Sequence, residues 1–175
     1  MDDVIEQGYT RLVEAIRETA DEKEKLAGEV REQKAALLTR MAAEAAPLVP
    51  QIGLSMLNRA RIDSNKELYD PEYYPEKMIL LGKTEPMPYR PDDMTKRVDT
   101  QVCVLSEDGS LFELMYSSTE IRVDSYREKL APDAALDLYS SEILFMLYRA
   151  MRECLQNERE LLDALAKTLE YIAAE

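Results

Sequence analysis

Residues 101–116, QVCVLSEDGSLFELMY, carry the clearest structural signal in the chain. Residues 101–106 are rich in β-branched side chains, and residues 111–116 form a second apolar segment of strand length. The turn between them contains Asp108-Gly109, the dipeptide most typical of a tight connection between antiparallel strands. This stretch therefore predicts a β-hairpin at the centre of the fold.

Further strands are expected on both sides of the hairpin. Residues 78–81 form a short apolar run that ends at Gly82. Residues 121–126 alternate in character, with Ile121 and Val123 on one face. Together these segments predict a small antiparallel sheet of three or four strands. Residues 52–62 fit a short helix and a strand equally well, so the pattern leaves both open.

A segment rich in proline and tyrosine lies between residues 69 and 91. It contains four of the ten tyrosines. Proline and the residue before it disfavour helix, so we interpret the segment as a long ordered loop. Loops of this length often carry function.

The two ends of the chain differ from this middle part because all eight prolines lie between Pro47 and Pro132. Residues 2–45 and 133–174 are rich in strong helix formers. Their apolar residues recur at steps of three and four, which predicts one long helical arm at each end. Asp133 is placed to cap the second arm. The apolar positions are Ile5, Tyr9, Leu12, Ile16, Leu26, Val30, Leu37 and Met41 in the first arm, and Leu144, Tyr148, Met151, Leu155, Leu162, Leu165, Leu169 and Ile172 in the second.

The predicted fold class is α+β, with two long helical arms that form an antiparallel, coiled-coil-like pair and flank the small antiparallel β-sheet. Its parts are an N-terminal arm (1–46), a β-containing middle (47–132) and a C-terminal arm (133–175), together one structural domain. An antiparallel alignment places the polar break of one stripe, Lys23, opposite that of the other, Glu158, and a polar layer of this kind fixes helix register. The layout resembles that of prefoldin-type chaperone subunits as an architectural analogy without a shared residue motif.

Composition excludes several classes of function. The net charge is −13 and is spread evenly, which argues against nucleic acid as a principal ligand. The chain has no histidine, so Ser-His-Asp and Cys-His catalysis are excluded. The longest apolar run is six residues, against roughly 20 for a membrane span, so no membrane partner is expected. With two cysteines and no signal peptide, we expect a cytoplasmic protein with free thiols and no zinc site.

The best candidate binding residues are basic and aromatic groups of the middle region that would surround a small anionic ligand, with tyrosine faces stacking on a planar group. They are Arg59, Arg61, Lys66, Tyr69, Tyr73 and Arg90. The simpler alternative is that these cations balance neighbouring acids on the surface. We predict no catalytic residue, no metal ligand and no cofactor, and we interpret Cys103 as a core cysteine.

Three functions remain open from the sequence. The leading hypothesis is a non-enzymatic scaffold or interaction protein that works through its helical arms, as a homodimer or higher oligomer or with an unknown protein partner. The second is a module that binds a small anionic ligand in the Arg/Lys/Tyr-lined middle region. The third is an enzyme that uses carboxylates or tyrosines without histidine.

Overall fold

The computed structural model of the chain describes residues 1–174 and confirms the α+β class. In chain order the elements are α1 (Asp2–Ala45), a 3-10 helix (Ala46–Leu48), α2 (Val49–Ile52), β1 (Leu54–Ile62), β2 (Leu68–Thr84), β3 (Thr100–Ser106), β4 (Leu111–Ser118), β5 (Arg122–Leu130), α3 (Pro132–Tyr139) and α4 (Glu142–Ala173). The residues whose pattern fitted both helix and strand are mostly β1.

The five strands form a closed barrel in the order β1-β2-β3-β4-β5, and every neighbouring pair is antiparallel. The predicted hairpin is confirmed as β3 and β4. Gly109 occupies the turn with φ 81°, a left-handed conformation that glycine adopts without steric cost. The predicted small sheet of three or four strands is wrong in extent, because β1 and the first part of β2 also join it and the sheet closes on itself.

Strand direction alternates around a ring of antiparallel neighbours. With five straight strands, β5 would run parallel to β1. The antiparallel β1–β5 pair is therefore possible only because strands bend. The 17-residue β2 pairs with β1 through its first part and with β3 through its second part. Three register shifts interrupt its pairing with β1, and a fourth falls between Leu80 and Gly82. Bulges of this kind bend strands, so they provide the curvature that closure needs.

The prediction of a loop is wrong for residues 69–77, which belong to β2 together with the predicted strand segment 78–81. Prolines are tolerated in a strand where a bulge removes the need for a backbone donor. Asp70 and Pro71 lie in such a bulge, between the pairs Arg59↔Glu72 and Arg61↔Tyr69. Asp70 there adopts φ 53°. Only residues 85–99 form the connection from β2 to β3.

Side chains of β3 alternate between two cores. Val102 and Val104 point into the barrel, where they pack with Met78 and Leu114. Cys103 points out to the helical layer that covers the outer face of β2, β3 and β4. The buried members of this second core are Leu38, Ala42, Ala45, Val49, Ile79, Leu81, Cys103, Leu105, Leu111, Ala135, Leu136, Tyr139, Ile143 and Leu147.

The predicted pairing of the arms within one chain is not observed. Leu38 is fully buried in the helical layer, whereas Leu37 of the predicted stripe is 38% exposed. At its base α1 therefore packs on the barrel mainly through Leu38, Ala42 and Ala45, with Met41 of the stripe partly buried beside them. Arg31 pairs with Asp137 and Lys34 donates to Ser141 at the base of the arms.

The outer arms are separate from each other. Lys23 and Glu158 form no ion pair with each other within residues 1–174, and the apolar positions around them are more than half exposed. The C-terminal arm is also two helices, because Ser140 breaks it with φ 64°. Asp133 lies in the first turn of α3 after Pro132 and does not cap it. No helix among the described residues is long and apolar enough to cross a membrane.

Candidate functional site

Arg90 anchors the loop between β2 and β3 to the barrel. It is 4% exposed, and its guanidinium donates to both oxygens of Asp92 at 2.9 and 2.5 Å and to Asp124 of β5 at 3.0 Å. Lys96 donates to the other oxygen of Asp124. The hydrogen bonds from Arg90 hold the pKa of the Asp92 carboxyl below its usual range. Carboxylates of the chain itself therefore occupy this arginine.

Arg59, like Arg90, is paired with a carboxylate, but here both partners are exposed to solvent. Its Nε atom lies 2.7 Å from Oε2 of Glu72 and its Nη2 atom lies 2.7 Å from Oε1, which is a bidentate geometry. Both side chains are more than half exposed. This pairing lowers the pKa of Glu72. Of the candidate arginines, Arg59 and Arg90 thus match the alternative in which cations balance neighbouring acids.

Arg61 lies beside these pairs without one of its own. It forms no ion pair and no side-chain hydrogen bond with any residue of the described chain. Its direct partner across the β1–β5 pair is Arg122, so two cations face each other where the barrel closes. Arg122 is 3.9 Å from Asp124, whose oxygens Arg90 and Lys96 already occupy. We call the outer face formed by Arg59, Arg61, Arg122 and Asp124 the seam face.

Two adjacent surface depressions meet at the seam face, and both are lined by Arg61 and Arg122. The smaller, about 200 Å³, is completed by Arg59, Ala60, Asp70 and Glu72. The larger and more open one is completed by Ile62, Tyr69, Thr119, Glu120 and Ile121. The structure thus brings together three of the six candidate ligand residues.

The remaining candidates lie apart from these depressions. Lys66 is exposed in the β1–β2 turn, with φ 63°. Tyr73 is 52% exposed and pairs with Leu57 on the irregular part of the β1–β2 ladder. Neither lines either depression. Sequence reasoning missed Arg122, although its position between Ile121 and Val123 indicates a side chain on the face opposite to theirs.

A buried polar cluster lies between the barrel and the helices. Glu113 of β4 is 3% exposed and accepts hydrogen bonds from Gln101 Nε2 at 2.6 Å and from the Tyr139 hydroxyl at 2.5 Å. Gln101 also accepts the backbone N–H of Met87. Burial and the contact with Glu113 raise the pKa of Tyr139. Every member is satisfied, so the cluster fastens α3 and the loop to the barrel. A glutamate inside the apolar segment 111–116 was the available sequence signal.

Cys103 and the acidic groups of residues 1–174 form neither a reactive thiolate nor a metal-binding cluster. Cys103 is fully buried, as predicted, and burial raises the pKa of its thiol to about 12, which opposes formation of a reactive thiolate. Cys154 is partly buried in α4. Within residues 1–174, no group of three or more acidic or cysteine side chains is placed to hold a metal ion.

Exposed apolar residues recur along both arms. Six apolar residues of α1 are 51–69% exposed, and we call them the α1 stripe: Ile5, Tyr9, Leu12, Ile16, Leu26 and Val30. Five residues of α4 are 51–68% exposed and form the α4 stripe: Leu155, Leu162, Leu165, Leu169 and Ile172. Both stripes lie beyond the part of each helix that packs on the barrel.

The chain matches no protein-family model, no curated protein and no solved structure. Its class is therefore defined by its own architecture, a closed five-stranded antiparallel barrel that carries two separate helical arms.

Proposed function

We propose that this protein is a non-enzymatic scaffold that associates with further copies of itself through the α1 and α4 stripes. The observation that supports this most directly is the exposure of both stripes along arms whose bases are firmly packed on the barrel. In keeping with the two free cysteines, we expect this assembly in the cytoplasm.

The spacing of the stripes favours a helical partner. Their residues recur at three and four positions, the pattern by which one helix packs against another. Single apolar residues scattered over a helix surface are normal and need no partner. Apolar residues that form a continuous patch, as the stripes do, mark interaction sites. In α4 the stripe continues from the fully buried Ile143 and Leu147 at its base. The helix therefore extends a core-forming face into solvent.

A second copy is the occupant that best fits these stripes. Each chain offers one exposed stripe on each arm, and the residues of α1 that contact the barrel, Leu38 and Ala42, lie at its base beyond the α1 stripe. Two copies that pair α1 of one with α4 of the other would cover all four stripes at once. The arms are both acidic, so a random pairing would be repulsive. Pairing in trans at the antiparallel register would place Lys23 opposite Glu158, one cation against one anion.

The proposal is tested by the mass of the full chain in solution, measured by light scattering over a concentration series. Leu12→Glu with Ile16→Glu removes two apolar contacts per chain, each worth about 1.5–3 kcal/mol when buried. We expect the dissociation constant to rise by at least about 100-fold. The control is Gln7→Glu with Thr10→Glu, which adds the same charge to α1 outside the stripe.

The register has a separate test. Lys23→Glu should weaken association, and Glu158→Lys in the same chain should restore it, because the opposite charges are re-formed in reverse. A wild-type chain that stays at its monomer mass of 20.1 kDa at high micromolar concentration would contradict self-association. Equal behaviour of the stripe variant and its control would show that charge, and not the stripe, governs assembly.

A further inference from the structure

The β1–β5 pair is where the barrel closes, and it is held by a short stretch of ladder. Its aligned residues are Arg59↔Asp124, Ala60↔Val123 and Arg61↔Arg122. Ala60 is 2% exposed and points into the barrel. The arginines on either side of it therefore point outward, where the helical layer does not cover them.

The Arg61–Arg122 pair is electrostatically unfavourable as it stands. Residues directly opposite on antiparallel strands have Cβ atoms about 4.5–5.5 Å apart, and like charges in this position destabilise a sheet. The other cross-strand pair of this face joins opposite charges, Arg59 and Asp124. The chain has 35 acidic residues, yet none forms an ion pair with Arg61 among residues 1–174. A cation without an ion pair, opposite a second cation that is paired only at 3.9 Å with Asp124, indicates a site for an anion in a chain of net charge −13.

The charges around the two arginines leave room for such a ligand. In the smaller depression Glu72 is bound by Arg59, and Asp70 is the remaining acid. In the larger depression Glu120 is the one acid among the lining residues. Over both depressions three arginines face three acids, so the anion site rests on Arg61, which lacks an ion pair, and on Arg122, whose ion pair with Asp124 is long at 3.9 Å.

The larger depression also has apolar and aromatic walls next to its cations. They are formed by Ile62, Tyr69 and Ile121. Tyr69 is 46% exposed, so its ring is accessible to a planar group. A guanidinium binds an oxyanion through paired N–H groups, and an adjacent ring adds stacking on an aromatic body.

We propose that Arg61 and Arg122 form a clamp across the β1–β5 pair that binds an aromatic phosphate monoester, with the phosphate between the guanidinium groups and the ring against Tyr69. The dianion neutralises the two opposed cations and thereby holds the strands together where the barrel closes. This site is independent of the arm stripes, and its test does not depend on self-association.

The test is titration of the full ¹⁵N-labelled chain with phenyl phosphate, followed by backbone amide shifts. We expect saturable shifts confined to residues 59–62, 69 and 119–122. Arg61→Gln and Arg122→Gln should each weaken binding by roughly tenfold or more, because each removes a charge-assisted contact. Arg149→Gln is the matched control, since it removes an exposed arginine that is paired with Glu153 on α4, away from the seam face, and it should bind as the wild type does.

Two further measurements identify what is recognised. Inorganic phosphate should compete but bind more weakly than phenyl phosphate, and Tyr69→Ala should remove that difference. Without ligand, Arg61→Gln should leave the melting temperature unchanged or raise it, because the opposed charges are relieved. The proposal is overturned if millimolar phenyl phosphate produces no shifts, or if the Arg61→Gln and Arg122→Gln variants bind as the wild type does.

Discussion

Replacement of Arg90 by alanine should destabilise the fold far more than the same replacement of Arg59. Arg90 is 4% exposed and is the donor in three hydrogen bonds to Asp92 and Asp124. Removal of one partner from a buried ion pair costs about 3–5 kcal/mol. Asp124 would keep Lys96, and Asp92 is one-third exposed and regains water. We therefore expect the lower end of that range, about 3 kcal/mol.

Arg59 is the control because its pairing is chemically the same and its surroundings are not. It contacts Glu72 through two atoms at 2.7 Å, but the two side chains are 57% and 52% exposed. Exposed pairs contribute about 0–1 kcal/mol, since water replaces the lost partner and the side chains regain freedom. Arg59→Ala should therefore shift the unfolding midpoint far less than Arg90→Ala does.

Urea unfolding at one fixed protein concentration measures both effects, because self-association would otherwise shift the apparent stability. Arg90→Lys keeps the charge and loses the planar fork, so its unfolding midpoint should fall between those of the wild type and Arg90→Ala. Equal midpoint shifts for Arg59→Ala and Arg90→Ala would refute the argument that burial determines the strength of these pairs.

Two further predictions concern the interface between barrel and helices. Tyr139→Phe removes a donor to the buried Glu113 and should lower the free energy of unfolding in urea by about 1.5–3 kcal/mol; the same loss in the exposed Tyr148→Phe would contradict this. Burial raises the pKa of Cys103 from 9.0 to about 12, so above pH 9 only the unfolded chain loses this proton. The free energy of unfolding should then fall by about 1.4 kcal/mol per pH unit. In Cys103→Ala the slope between pH 9 and 10 should be shallower by that amount, and an unchanged slope would assign it to other groups.

The hairpin could be predicted from sequence because its determinants are local. A β-branched segment, a second apolar segment and a glycine at a left-handed turn position all lie within residues 101–116. The first part of β2 could not be predicted, because it contains Pro71 and Pro75, and proline normally interrupts a strand. They are accommodated in bulges that are required only once five strands close into a barrel. Closure is a property of the whole sheet, so no local pattern in residues 69–77 predicts it.

The arms show a similar division between local and tertiary information. Helix formation follows from composition and from the absence of proline, and α1 runs without a break from Asp2 to Ala45. The face that packs could not be taken from the stripe. A strong heptad pattern favours Leu37, yet Leu38, Ala42 and Ala45 are the buried residues, since small side chains allow α1 to approach the barrel closely. The α1 stripe was therefore correctly predicted as an apolar face of a helix, and wrongly predicted to pack against the other arm of the same chain.

For the candidate ligand residues, strand geometry was the missing information. Arg59 and Arg61 are two apart on one strand and share a face, which a strand assignment for residues 52–62 would have indicated. Their neighbour Arg122 comes from β5, and only the closing ladder brings it opposite Arg61. Arg90 was a candidate because it is a cation near tyrosines. One of the carboxylates that pair with it, Asp124, comes from β5, so its pairing depends on the tertiary fold and could not be predicted from local sequence.

The division of the barrel surface suggests why a single domain carries two separate surfaces. The outer face of β2, β3 and β4 is covered by the helical layer, and this contact gives each arm a rigid base. The seam face of β1 and β5 lies outside that cover. Association through the arms would therefore leave the seam face accessible, and an anion bound there would stabilise the closing strands without touching either stripe. If both proposals hold, stripe variants should change the mass of the particle and not its affinity for phenyl phosphate, and Arg61→Gln should do the reverse.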